Sequence, residues 1–172
     1  GLTPNDRRED SYFSMNVWDN EQKKEVLWAP TNANGFFTGY NMTLKSAFAQ
    51  SVNSIAVKIG QEMGIDRIAQ TAHKMGIKSP LHETPSLALG ASDVNLLELV
   101  NAYSTIINDG MAHEPVLVTR ILDRDGNVIY EAPTEQTEAV SYKSAFFMQQ
   151  MLMAGMREPG GTSMNMWRYV RN

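Results

Sequence analysis

The sequence predicts an α+β fold that is mostly helical within this chain, with only a hairpin's worth of sheet. Three observations carry that expectation. Apolar residues recur at helical spacing in five stretches after residue 43. Two β-prone runs flank Asp125-Gly126, the turn signature of a hairpin. Residues 1–41 sustain neither a helical nor a strand period.

Residues 1–41 are rich in Asn, Asp, Gly and Pro and are expected to form a loop-rich segment. Within it Val26-Leu27-Trp28 reads as a short edge strand before Pro30, and Asn34-Gly35 as a turn. A loop of that length in a compact domain usually has a function or wraps a neighbouring surface. Helices and one β-hairpin are expected over 42–172. Thr43 is placed to cap a helix holding Leu44, Ala47 and Phe48. Ser51-Val52-Asn53 interrupts it, because Ser and Asn side chains compete with helical hydrogen bonds. The pattern resumes through Ile55, Ala56, Ile59 and Met63 and stops at Gly64. Asp66 is placed to cap the next helix, which carries Ile68, Ala69, Ala72 and Met75 before Gly76.

Pro80 and Pro85 bracket a loop leading into Ser86-Leu87-Ala88-Leu89-Gly90. Asn95 and Glu98 form a pair resembling a capping box. Leu96, Leu99, Val100, Tyr103, Ile106 and Ile107 then make a broad apolar stripe, ended by Gly110. Val116–Leu122 and Val128–Tyr130 flank the hairpin turn, and a last helix starts near Ser141 with Ala145, Phe146, Met148, Met151 and Leu152. After Pro159-Gly160-Gly161 a loop and an aromatic-tipped tail are expected. Wide apolar helix faces need a second layer that one hairpin cannot supply, so further strands are expected outside these residues.

At 172 residues the chain is long enough for one core, and 42% hydrophobic with 20% charged residues is ordinary for a globular domain. A net charge of −4 argues against a nucleic-acid surface. The absence of cysteine excludes disulfides, Cys-ligated zinc and thiol nucleophiles. His73, His82 and His113 are scattered, and neither a phosphate loop nor His-Glu-x-x-His occurs, so no metal or cofactor is expected. Asp123-Arg124-Asp125-Gly126-Asn127 lacks the third acidic position and the distal Glu of a calcium loop. No apolar run approaches the ~18–20 residues of a membrane span, and no signal peptide opens the chain. A glycine start without Met is expected of a trimmed chain.

One short motif carries chemistry. Ser51-Val52-Asn53 sets a hydroxyl and an amide at a helix-to-helix turn, where such a pair can pass a proton and grip a peptide carbonyl. Alone, Ser-x-Asn arises by chance in roughly one of every two or three chains of this length. The bland alternative is a helix break in which Ser51 bonds backbone and Asn53 caps the following helix.

Its context is more specific. Trp28-x-Pro30-x-Asn32-x-x-Gly35-x-x-Thr38-Gly39 is followed by Thr43-Leu44 and by Ala49-Gln50-Ser51-Val52-Asn53-Ser54-x-Ala56-Val57-Lys58. Then come Met63-Gly64-Ile65, Pro85-Ser86-Leu87-Ala88-Leu89-Gly90-Ala91-Ser92 and Glu98-Leu99-x-x-Ala102-Tyr103, with Gly110, Pro115 and the Asp125-Gly126 hairpin closing the series. In that order these blocks resemble the transpeptidase domain of class A penicillin-binding proteins, over about Gly1 to Thr162. Leu96-Leu97 departs from the Thr-Pro often found there.

The resemblance implies the helical part and a hairpin of the penicillin-binding transpeptidase and serine β-lactamase-like fold, with much of the sheet missing. It implies a serine-type D,D-transpeptidase that cross-links peptidoglycan stem peptides through an acyl-enzyme and binds β-lactams when intact. Ser51 would relay the proton toward the departing amine, and Asn53 would hydrogen-bond the peptide backbone. The family's nucleophile belongs to a Ser-x-x-Lys motif, with a Lys-Thr-Gly strand as the opposite wall. Neither occurs here: no Lys has Ser three residues before it, Thr71 with Lys74 being the nearest miss. The chain alone is therefore expected to be inactive. The parent is expected to be anchored on the extracytoplasmic, periplasmic side of a bacterial inner membrane, and exposed helix faces are expected to favour a non-native dimer of this chain. Two alternatives stand beside this: a β-lactamase or D,D-carboxypeptidase relative, and a non-catalytic transpeptidase-like interaction module.

Overall fold

A computed structural model describes residues 1–19, 21–166 and 169 of the chain. Two compact units are formed, one from Gly1–Ala69, Leu81–Ser92 and Phe147–Asn172, the other from Gln70–Pro80 and Asp93–Phe146.

The first unit holds more strand than the sequence pattern suggested. β1 (Arg7–Glu9) pairs antiparallel with β4 (Asn41–Thr43), Arg7 opposite Thr43. Between them, β2 (Met15–Asp19) and β3 (Lys24–Trp28) form a hairpin with Met15 opposite Trp28. Its turn carries no Asn-Gly or Asp-Gly signal. Instead the Asp19 carboxylate accepts the backbone N–H groups of Glu21 and Gln22 at 2.8 and 2.9 Å. Lys23 takes the left-handed corner, φ 51°, where glycine is the usual marker.

Thr43 caps α1 (Leu44–Ala49), its Oγ1 accepting the Ser46 N–H at 3.1 Å. α2 (Asn53–Met63) follows after a three-residue break. Buried Leu44, Ala47 and Ile55 form the core, with Leu2, Met42, Val52, Ile59 and Met151 packed against them. Gly60 lets a short 3-10 helix, Pro85–Leu89, come close to α2: a Cβ at position 60 would lie 2.7 Å from that of Ala88. Residues 65–69 of α3 (Ile65–Lys74) belong to this unit, as do residues 147–157 of the last helix.

In the second unit, α4 (Leu96–Ile107) is capped by Asn95, whose Oδ1 accepts the Leu97 N–H at 2.8 Å. Glu98 does not close a capping box. Its carboxylate accepts the N–H groups of Lys78 and Ser79 and the Ser79 hydroxyl, at 2.7–3.2 Å, because those otherwise orphaned donors lie within its reach.

The buried face of α4 is also not the expected stripe. Asn101, Ala102, Thr105 and Ile106 are buried, while Leu96 and Ile107 are 76% and 73% exposed. Polar residues sit inside because they satisfy backbone there: Asn101 Nδ2 donates to the His113 carbonyl at 3.0 Å, and Thr105 Oγ1 to the Asn101 carbonyl at 3.2 Å. β5 (Met111–Ala112) pairs with β8 (Thr137–Glu138), and β6 (Arg120–Leu122) with β7 (Val128–Glu131). The latter is the expected hairpin, closed by an Asp123 carboxylate that accepts the N–H groups of Asp125 and Asn127. α5 (Tyr142–Arg157) is the last helix. Each of the four ladders has two strands among the described residues. Of the expected aromatic-tipped tail, residues 167, 168 and 170–172 lie outside them.

Gly110 is the most closely approached glycine of this unit. Its φ of 92° strains any side chain, and a Cβ there would run into the Val140 carbonyl oxygen. Gly110→Ala is expected to destabilise the unit by about 2 kcal/mol, read as a lowered urea midpoint. An unchanged midpoint would contradict this geometry.

Candidate active site

The site is built at the end of α1. Gln50 is the helix C-cap, and two hydrogen bonds close the turn beyond it: Ser51 N–H to the Phe48 carbonyl and Val52 N–H to the Ala47 carbonyl, both 3.0 Å. This is a complete Schellman motif, in which the residue after the cap adopts the left-handed conformation and is usually glycine. Here it is Ser51, φ 56°. A side chain in that conformation costs about 1–2 kcal/mol, and such strain concentrates at functional sites. The Ser51 residue is exposed, and its hydroxyl makes no hydrogen bond among the described residues.

The turn leads directly into α2. Val52 is the N-cap and offers no side-chain acceptor, so the bland alternative of a cap by Asn53 is not realised. Asn53 stands at the first helical position, and its Nδ2 donates to the Thr31 carbonyl at 2.9 Å. The cap comes from elsewhere: Asn32 Oδ1 accepts the Ser54 N–H at 3.1 Å. The loop-rich segment thus wraps the motif and supplies its acceptors.

Both sides of the turn are braced. Behind α1, Lys45 pairs with Glu158 at 2.6 Å, Gln50 Nε2 donates to the Pro159 carbonyl at 3.3 Å, and Thr162 N–H to the Ala49 carbonyl at 3.0 Å. Beneath α2 lies Asp10, only 1% exposed. Its Oδ1 accepts Ser54 Oγ at 2.7 Å and Asn32 Nδ2 at 2.8 Å. Its Oδ2 accepts Thr38 N–H at 2.8 Å and Thr38 Oγ1 at 2.9 Å. Burial pushes the Asp10 carboxyl up, but the hydrogen bonds from Thr38, Ser54 and Asn32 outweigh it, and the net effect holds it below its ordinary value. Lys58, one turn along α2, donates to the carbonyls of Glu9 and Ser11, on either side of Asp10.

A cavity of about 620 Å³ opens beside the turn. Ser51, Asn53 and Thr162 are its polar lining residues, and Leu2, Phe48, Ile59 and Leu89 are among its apolar lining. Among the described residues no charged side chain lines it. The structure therefore brings Ser51 and Asn53 to one cavity wall. Asp10, Asn32, Thr38 and Ser54 were given no role by the sequence reading. Three of them stand in the quoted blocks, at Asn32, Thr38 and Ser54, but Asp10 sits in a stretch without periodicity.

The family model for the penicillin binding protein transpeptidase domain matches residues 9–169. Penicillin-binding protein 2D of Bacillus subtilis (strain 168) is 38% identical over 133 residues, covering 77% of this chain and 19% of that protein. Penicillin-binding protein 1A of Clostridium novyi (strain NT) is 34% identical over 140 residues, 78% of this chain and 16% of that one. The chain thus spans less than a fifth of the length of these two relatives. Among solved structures, penicillin-binding protein 1A from Haemophilus influenzae superposes with a TM-score of 0.82 at 26% identity, over 99% of this chain and 30% of that one. An imipenem acyl-enzyme complex of penicillin-binding protein A from M. tuberculosis shares the fold, with a TM-score of 0.70 at 22% identity, over 91% of this chain and 40% of that one. A match over nearly the whole chain, with the Ser51–Asn53 turn on a cavity wall, makes the chain a member of the penicillin-binding protein transpeptidase domain family.

Proposed function

We propose that this chain supplies one wall of a serine D,D-transpeptidase site that cross-links peptidoglycan stem peptides. The observation that carries the reading is Ser51, a serine held left-handed where a Schellman motif favours glycine, with Asn53 two residues on and a cavity beside both. In this role Ser51 relays a proton to the departing D-Ala amine, and Asn53 hydrogen-bonds the backbone of the stem peptide. The nucleophilic Ser, the Lys that activates it and the Lys-Thr-Gly wall come from other parts of the full-length protein, since none of them occurs in residues 1–172.

β-Lactams enter as mimics of the stem peptide; penicillin-binding protein A from M. tuberculosis, which shares the fold, forms an acyl-enzyme with imipenem. The setting is the extracytoplasmic face of a bacterial membrane, to which the full-length protein is anchored. No helix among the described residues is long and apolar enough to cross a membrane.

Labelling with fluorescent penicillin tests the proposal. The full-length protein should take up one covalent label per molecule, blocked by unlabelled benzylpenicillin, and the chain of residues 1–172 should take up none. Stoichiometric labelling of the short chain, or a full-length protein that stays unlabelled, sinks it.

A further inference from the structure

Asp10 is a buried carboxylate with no cation among its hydrogen-bond partners; every donor it accepts is neutral. A buried charge is tolerated only when hydrogen bonds replace its lost water, and four do so here. Two of the four lead to the active-site turn. Ser54, which donates its hydroxyl, follows Asn53 directly. Asn32, which donates its amide, also accepts the Ser54 N–H and precedes the Phe36 carbonyl that takes its other proton at 2.8 Å. The side chain of Asn32 is thus committed at both ends, and the backbone just before it is fixed. That backbone carries the Thr31 carbonyl, which holds the Asn53 amide at 2.9 Å.

We propose that Asp10 is a positioning residue for the transpeptidation site. Acting through Asn32, it fixes the Thr31 carbonyl, which holds one N–H of the Asn53 amide. Asn53 then presents its Oδ1 and its second N–H to the substrate in a single orientation. The matching ligand chemistry is an extended peptide backbone, whose N–H and C=O pair with an amide only when the amide faces one way. An amide free to flip would meet the same backbone donor-to-donor and acceptor-to-acceptor. The inference rests on the transpeptidase reading for its substrate, but its geometric core is independent of it.

Two measurements test it. In the chain of residues 1–172, side-chain amide exchange of Asn53 is followed by NMR. Asp10→Asn and Asn32→Ala should each speed that exchange by about tenfold or more, the loss of one hydrogen bond. Ser54→Ala removes a bond to Asp10 but not the path through Asn32 to Thr31, and it should leave the exchange within twofold of the parent. If Asp10→Asn fails to fold, Asn32→Ala decides. Unchanged Asn53 exchange in a folded Asn32→Ala overturns the proposal, as does equal acceleration by Ser54→Ala.

In the full-length protein, Asn32→Ala should weaken the reversible binding of fluorescent penicillin about tenfold with the acylation step within twofold. On an Asn53→Ala background it should add nothing. Additive losses overturn the proposal, because a merely structural role predicts them. A full-length parent that takes no label contradicts the transpeptidase reading, and amide exchange then decides the positioning role alone.

Discussion

Ser51→Gly in the full-length protein is expected to slow acylation by fluorescent penicillin about a hundredfold or more, while raising stability. The two effects come from different atoms. Removing the hydroxyl removes the group placed to pass a proton, and general acid–base participation of that kind contributes about 10²–10⁴-fold. Removing the Cβ relieves the left-handed strain at φ 56°. Relief of about 1–2 kcal/mol, less about 0.5–1 kcal/mol for glycine's extra freedom in the unfolded chain, leaves a net gain of up to about 1.5 kcal/mol. Ser51→Ala separates them, because it loses the hydroxyl and keeps the strain. It should be as slow as Ser51→Gly but no more stable than the parent. A glycine variant that labels at the parental rate would remove Ser51 from the chemistry. One that is no more stable than Ser51→Ala would show that the turn stores no strain.

The serine could be found in the sequence, but its conformation could not. Ser-x-Asn between two helical patterns marks a break, and the flanking blocks supplied the context. What a string of residues does not record is that the hydrogen bonds around the break come from far away. The bland alternative had Asn53 cap its own helix, yet Asn32, twenty-two positions before Ser54, caps the Ser54 N–H instead. The same limit explains β2 and β3. Their five-residue alternation is short, and their turn is made by the Asp19 side chain and a left-handed Lys23 rather than by Asn-Gly. On α4, periodicity located the helix but not its buried face, because Asn101 and Thr105 are held inside by backbone carbonyls that no apolar pattern reveals. Local signals, by contrast, transferred well. The Thr43 and Asn95 caps and the Asp125-Gly126 hairpin depend on neighbours within a few residues, and each is where its side chain or turn requires it.

Asp10→Ala should be among the most destabilising single changes in the first unit, and its cost should depend on pH. The substitution strands the hydroxyls of Ser54 and Thr38, the Thr38 N–H and one amide proton of Asn32 in a buried site. Unsatisfied buried donors cost about 1–3 kcal/mol each, partly recovered by relaxation and entering water, so a loss of about 3–5 kcal/mol is expected near neutral pH. Asp10→Asn is no remedy. All four contacts donate to the carboxylate, so an amide must turn its own NH₂ toward one pair of donors. The hydrogen bonds hold the Asp10 carboxyl below its ordinary 3.8 in the folded protein, so its contribution is present above that value. It is lost as pH falls through the lower folded value, where protonation removes the acceptor the donors need. The stability gap between parent and Asp10→Ala should therefore stay constant from about pH 8 to pH 5 and narrow below about pH 4. Asp6, also held low by its bonds from Thr3, titrates in both proteins and cancels from the difference. Urea unfolding of the two proteins across that range gives the gap directly. A gap that widens toward acid would mean Asp10 is protonated when folded, and the hub would then be a neutral network rather than a buried anion held by four donors.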